Sequence, residues 1–215
     1  NITALITDMN SPLGYAVGNT LEVCEAIKIL KGERVDRLSE LCIALASNMI
    51  SLALNKDIGS AEQIANEMIT SGKALEKLRE MVISQDGDAS YIDDESKFEF
   101  DDCSCDIVAK DSGFIGEINA LEIGEASVLL GAGRSVKEDE IDSKAGIILH
   151  CKVGDKINKG ERIMTLYAAD ESKIDTAKEI AESAVKIVLK QPAKTSIILN
   201  LSLIHISEPT RHAQI

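Results

Sequence analysis

Thr3-Ala-Leu-Ile-Thr-Asp-Met-Asn-Ser-Pro-Leu-Gly-Tyr-Ala-Val-Gly-Asn-Thr-Leu-Glu-Val-Cys-Glu-Ala-Ile27 is the stretch from which the fold is read. An apolar strand over residues 2–9 enters a turn at Ser11-Pro12-Leu13-Gly14. A helix over 20–30 follows, capped by Asn19 or Thr20, with Leu21, Cys24 and Ile27 on one face. The turn exposes the backbone carbonyls of Leu13 and Ala16, and the helix carries Glu25. Hard cations favour such all-oxygen sets. Spacing alone leaves Glu25 open to two readings, a cation ligand or a surface carboxylate on an ordinary amphipathic helix.

Working outward, three more helices are expected before residue 84. The first covers 36–54 with a stripe of Leu38, Leu41, Leu45, Met49 and Leu52. The second opens on the capping-box pattern Ser60-Ala-Glu-Gln63, with Ile64 and Met68 inward. Beyond Ser71-Gly72, the third turns Leu75, Leu78 and Val82 to the core. One strand cannot bury both its faces, so residues 1–84 read as part of a larger α/β domain whose other strands lie upstream.

Residues 85–105 form an acidic linker. A calcium loop starting at Asp86 fails, because Tyr91 stands where glycine is needed and Lys97 where glutamate is needed. From 106 to 192 the chain is β-rich. Strands are expected at Asp106–Lys110, Gly113–Ile118, Gly146–Cys151 and Arg162–Tyr167. A helix at Leu121–Leu130 places Leu121, Glu125 and Val128 on one face or its edge. A last helix at about 172–190 carries Ile174, Ala177, Ala181, Ala184 and Val188. The turn from Val153 to Met164 is similar to the hairpins of lipoyl-like barrel-sandwich domains. The expected fold class is therefore an α/β fragment followed by an α+β, barrel-sandwich-like C-terminal domain, with a tail from 193.

Within that tail, residues 201–215 resemble a translated transposon-type sequencing adapter, which makes them an expected assembly artefact. His205 and His212 fall in it and are not read as ligands.

Composition limits the chemistry. The net charge of −13 argues against a nucleic-acid partner and an anionic membrane surface. No run of 18 apolar residues and no signal peptide is present. Five cysteines at irregular spacing point to a reduced, cytoplasmic setting. Cys103-Ser-Cys105 with His150-Cys151 could be read as a zinc site. Zinc sites usually space cysteines by two to four residues, so a structural role is favoured. Gly131-Ala-Gly-Arg134 lacks the third glycine of a dinucleotide fingerprint and reads as a helix stop. Gly72-Lys73 is no phosphate loop, since Ala74 replaces the hydroxyl. His150 alone makes no triad. Lys156 and Lys159 lack the flanking residues of a modified swinging-arm lysine.

Several motifs in one order carry a resemblance over roughly residues 2–190. They are Ile6-Thr-Asp-Met-Asn-Ser-Pro-Leu-Gly-Tyr-Ala-Val-Gly-Asn19, Leu21-Glu-Val-Cys-Glu-Ala-Ile27, Ser71-Gly-Lys-Ala-Leu75, Leu129-Leu-Gly-Ala-Gly-Arg134, Lys137-Glu-Asp-Glu-Ile-Asp142 and Val153-Gly-Asp-Lys156. The pattern resembles the thymidine and pyrimidine-nucleoside phosphorylases, bacterial forms above all. The resemblance implies a homodimeric pentosyltransferase with a helical, an α/β and a barrel-sandwich domain. Pyrimidine nucleoside plus inorganic phosphate would give free base plus (deoxy)ribose 1-phosphate, through attack of a phosphate oxygen on the anomeric carbon. It also implies a structural potassium ion, bound by the backbone oxygens of Leu13 and Ala16, the carboxylate of Glu25 and two further ligands from the phosphate-loop region upstream. Ser11 stands where the family commonly has Gln, and Cys24 where it has Lys or Arg; neither removes a ligand.

The family's phosphate- and base-binding residues would lie upstream of Asn1. No catalytic residue is then expected in this piece, which is expected to be inactive alone. The alternatives are a non-catalytic barrel-sandwich binding module and an archaeal-type nucleoside-monophosphate phosphorylase.

Overall fold

The computed structural model describes residues 2–33 and 35–204. In chain order its elements are β1 (Ile2–Thr7), β2 (Ala16–Val17), α1 (Asn19–Leu30), α2 (Asp36–Leu54), α3 (Ile58–Thr70), α4 (Lys73–Ser84), α5 (Ser90–Asp93), a 3-10 turn (Glu95–Lys97), β3 (Cys103–Val108), β4 (Gly113–Ile118), α6 (Ala120–Leu130), β5 (Gly146–Leu149), β6 (Lys156–Ile157), β7 (Arg162–Ala168), α7 (Glu171–Ser183), β8 (Val185–Val188) and β9 (Ile198–Ile204). The molecule is mixed α/β, and its strands pair antiparallel throughout the described residues.

The main core lies between two small sheets and two helices. One sheet runs β2-β5-β7-β3 and the other β6-β4-β8. Alternate residues of these strands, such as Ile115, Ile147 and Leu166, meet Ile123 and Leu130 of α6 and Ala177 and Ala181 of α7 in one buried cluster. Small alanines on α7 let it lie close to the sheet, as the stripe Ile174-Ala177-Ala181 predicts.

The first segment of the chain enters this core region. β2 pairs with β5 through Ala16↔Ile148 and Val17↔Ile147, forming the edge of the sheet. The turn after Pro12 is thereby held against a strand more than a hundred residues away. β1 pairs instead with β9, from Ile2↔Ile204 to Thr7↔Ile198. Residues 201–204 of the adapter-like block thus take part in a strand. His205, His212 and the rest of that block lie outside the described residues.

Several expectations are corrected. The α2 stripe does not face a core: Leu45, Met49 and Leu52 are exposed, and Ser47 is the buried position. This helix packs along α3, and its largest side chains stay on the uncovered face. The α3 cap is Asp57, whose carboxylate accepts from Ser60 N, so the helix starts one half-turn before the capping-box pattern. β3 begins at Cys103, inside the expected linker, and the linker folds locally into α5 and a 3-10 turn. On α6 the inward face is Ile123, Ala126, Ser127 and Leu130, while Leu121 is solvent-facing. The last helix stops at Ser183, because Val185 and Ile187 alternate with Lys186 and pair with β4 as a strand. Val188 therefore lies on a strand, half out of the core.

Arg37–Leu54 is long and apolar enough, by length and composition, to cross a membrane. It also carries Glu40 and Asn48, and its Arg37 pairs with Asp8 at 2.8 Å.

Candidate functional site

The Pro12–Val17 segment wraps around one carboxylate. Glu25, on the second turn of α1, is only 8% exposed. Its Oε1 accepts from Tyr15 N at 2.7 Å and its Oε2 from Ala16 N at 3.4 Å. Two backbone donors offset part of the desolvation of the carboxylate. Gly14 makes the approach possible, since a Cβ built there would land on the Glu25 carboxylate. Gly18 has a φ of 133° and opens α1, with its N–H donated to Glu22 Oε1 at 3.1 Å. A side chain at 18 would also strike the Ala145 carbonyl oxygen, 2.6 Å away.

Strand pairing orients the carbonyls. Leu149 N donates to Tyr15 O at 2.7 Å, so Tyr15 is a hydrogen-bonded partner of β5. The Ala16 N–H points to Glu25 Oε2 instead. Leu13 O belongs to the preceding turn. Leu13, Ala16 and Glu25 lie in one local unit, where the Glu25 carboxylate accepts from Tyr15 N and Ala16 N. A carboxylate that accepts two N–H bonds keeps lone pairs for a further partner.

The missed residue is Lys152. Its Nζ donates to Pro12 O at 3.1 Å, to Leu13 O at 3.4 Å and to Gly14 O. It also lies 4.5 Å from the centroid of the Tyr15 ring. Residue spacing could not reveal a contact between parts of the chain 138 positions apart. Its place beside the Val153-Gly-Asp-Lys156 turn was the available signal.

The other candidates separate. His150 Nε2 lies 2.8 Å from Thr165 Oγ1, and Thr165 donates to Asp106 Oδ1 at 2.6 Å. Partial burial and the Arg162 guanidinium lower the His150 pKa. Cys151 points into the core, where burial pushes its thiol up to about 11. It stays a protonated thiol at neutral pH. Among the described residues, no three His, Cys, Asp or Glu side chains are grouped to hold a metal. Gly131 ends α6, and the loop after it receives Asn19 Nδ2 on Ala132 O at 3.0 Å and Asp142 N on Gly131 O at 2.9 Å. Beside this loop Asp101 lies against Asp142, with its Oδ2 buried and without a hydrogen-bond partner. Desolvation, then the Asp142 carboxyl, raise the Asp101 pKa.

Residues 114–188 match the family model described as pyrimidine nucleoside phosphorylase C-terminal domain. The pyrimidine-nucleoside phosphorylase of Bacillus subtilis (strain 168) is 49% identical over 170 residues, covering 79% of this chain and 39% of that protein. The chain matches the C-terminal part of pyrimidine-nucleoside phosphorylases. The Staphylococcus haemolyticus phosphorylase is 42% identical over 184 residues, 85% of this chain and 42% of its own length. The Geobacillus stearothermophilus phosphorylase is 40% identical over 181 residues, 84% and 42% respectively. The chain thus spans about two fifths of the length of these phosphorylases. The family match covers β4 to β8, the sheets and helices that hold Lys152 against the turn.

Proposed function

We propose that this chain is part of an enzyme that phosphorolyses uridine, thymidine and deoxyuridine to free base and (deoxy)ribose 1-phosphate. The observation that carries this reading is the alignment of about four fifths of the chain with proteins of that name. The groups that touch nucleoside and phosphate belong, on this reading, to the part of those proteins that the chain does not span. The 215 residues alone then turn over no substrate. Residues 1–84 contribute to a larger α/β domain, and residues 106–192 form the barrel-sandwich-like domain joined to it by 85–105. The whole enzyme is a cytoplasmic homodimer with no nucleic-acid or membrane partner, in keeping with the charge of −13.

Leu13 O, Ala16 O and the Glu25 carboxylate would hold a potassium ion. A bound potassium would supply positive charge beside Glu25 and brace the turn. Glu25 itself holds Tyr15 N and Ala16 N, which keeps the turn closed over α1.

The test is phosphate-dependent release of uracil or thymine. The chain alone is expected to release none. A longer protein carrying these residues and spanning the full length of the relatives is expected to release base. Failure of that protein to do so overturns the enzymatic reading. In the same protein Glu25→Gln is expected to weaken the response to KCl; equal activity across a KCl titration removes the potassium site.

A further inference from the structure

The peptide unit joining Gly14 to Tyr15 lies between opposite charges. Its C=O accepts from the Lys152 ammonium, and its N–H donates to the Glu25 carboxylate. The half-buried Lys152 reaches three successive carbonyls, those of Pro12, Leu13 and Gly14. Its face contact with Tyr15 fixes the ammonium from a further side. An ammonium and a potassium ion carry the same charge and seek the same ligands, carbonyl oxygens. Leu13 O, one of the three oxygens assigned to the cation, is also a Lys152 acceptor.

The geometry points to Lys152 as a built-in cation of this turn, which shares the Leu13 carbonyl with potassium and competes with it. This rests on the potassium reading above. Two positive charges on one carbonyl repel strongly in partly buried surroundings. Potassium entry therefore loosens the Lys152 contact, and loss of the Lys152 charge raises the demand for potassium. Lys152 is a positioning residue, since it acts through the turn and through Glu25.

The test compares melting of the unsubstituted chain, Lys152→Met, Lys152→Arg and Glu25→Gln in choline chloride and in KCl. Both salts are held at about 0.1 M, where screening is equal. In choline chloride Lys152→Met is expected to melt roughly 5 °C below the unsubstituted chain, the scale set by one charge-assisted contact in a chain of this size. In KCl it is expected to regain most of that loss, while the unsubstituted chain and Lys152→Arg move less. Equal gains from KCl in the unsubstituted chain and Lys152→Met overturn the sharing and leave the potassium site standing. No gain in any of the chains overturns the sharing, and the KCl titration of the longer protein then decides the potassium site separately. Should Lys152→Met not fold, the unsubstituted chain still decides: potassium is expected to speed exchange of the Lys152 Nζ protons, read by 15N-lysine NMR. Unchanged exchange across the titration overturns the sharing.

Discussion

Gly14 is placed by space. Its missing Cβ is what allows the Glu25 carboxylate to reach the N–H groups of Tyr15 and Ala16. Gly14→Ala is expected to displace the carboxylate and leave buried donors unpaired. The expected cost is roughly 2–4 kcal/mol, measured by urea denaturation. Asp101 offers a prediction of opposite sign. Its pKa is raised in the fold by desolvation and by Asp142. Between its unfolded pKa and that raised value the native state binds more protons than the unfolded state. Stability from this group is present at low pH and is lost as pH rises through the folded pKa. Asp101→Asn keeps a neutral group that can donate to Asp142. Its melting temperature is expected to exceed that of the unsubstituted chain at pH 7 and to match it near pH 3.

At the scale of elements, the two-stranded β1–β9 sheet stands apart from the main core. Such pairs are marginal without further packing. Deleting residues 201–215 takes away the partners of Ile2, Thr3, Ala4 and Leu5 but leaves Ile6↔Asn200 and Thr7↔Ile198. No residue of either strand belongs to the main core cluster. The main melting transition is expected to move by less than about 2 °C. Amide exchange in β1 is expected to lose its protection. A larger fall in melting temperature would make the adapter-like block part of the cooperative fold. Helices α1 to α4 were legible in their extents, to within a few residues, because apolar spacing marks a helix; their caps were not, since Gly18 and not Asn19 or Thr20 precedes α1 and Asp57 caps α3. The 184–188 segment was misread as helix because Ala184 continues the stripe of Ala177 and Ala181 on α7, whereas Val185 and Ile187 gain more by pairing with Ile118 and Ile115 of β4.

The whole molecule presents an apolar helix face to solvent. Leu45, Met49, Leu52 and Leu54 of α2 are all exposed, Met49 at 71%. Contiguous apolar surface of this kind binds hydrophobic dyes and drives self-association. The chain is expected to enhance the fluorescence of 1-anilinonaphthalene-8-sulfonate, and Met49→Glu with Leu45→Lys is expected to remove most of that signal. Equal fluorescence in the substituted chain would place the dye elsewhere. The same face explains why periodicity located α2 but misjudged its buried side. Spacing reports which residues share a face, and only the neighbours present decide which face is covered.

Local chemistry determined much of this protein from sequence alone: the Pro/Gly turn, the helix carrying Glu25, the stop at Gly131 and the acidic character of 85–105, though not the start of β3 inside it. These depend on residues within a few positions of one another. Tertiary structure alone decided that Ala16 and Val17 become an edge strand, that Glu25 is buried among backbone donors, and that Lys152 sits on the carbonyls of Pro12, Leu13 and Gly14. The Lys152 contacts join positions 138 to 140 residues apart, the edge strand needs Ile147 and Ile148 as partners, and the Glu25 bonds, though only 9 and 10 positions apart, need the turn folded back over α1. Their formation is governed by how β5 and the loop after it pack against the turn, which no local pattern encodes.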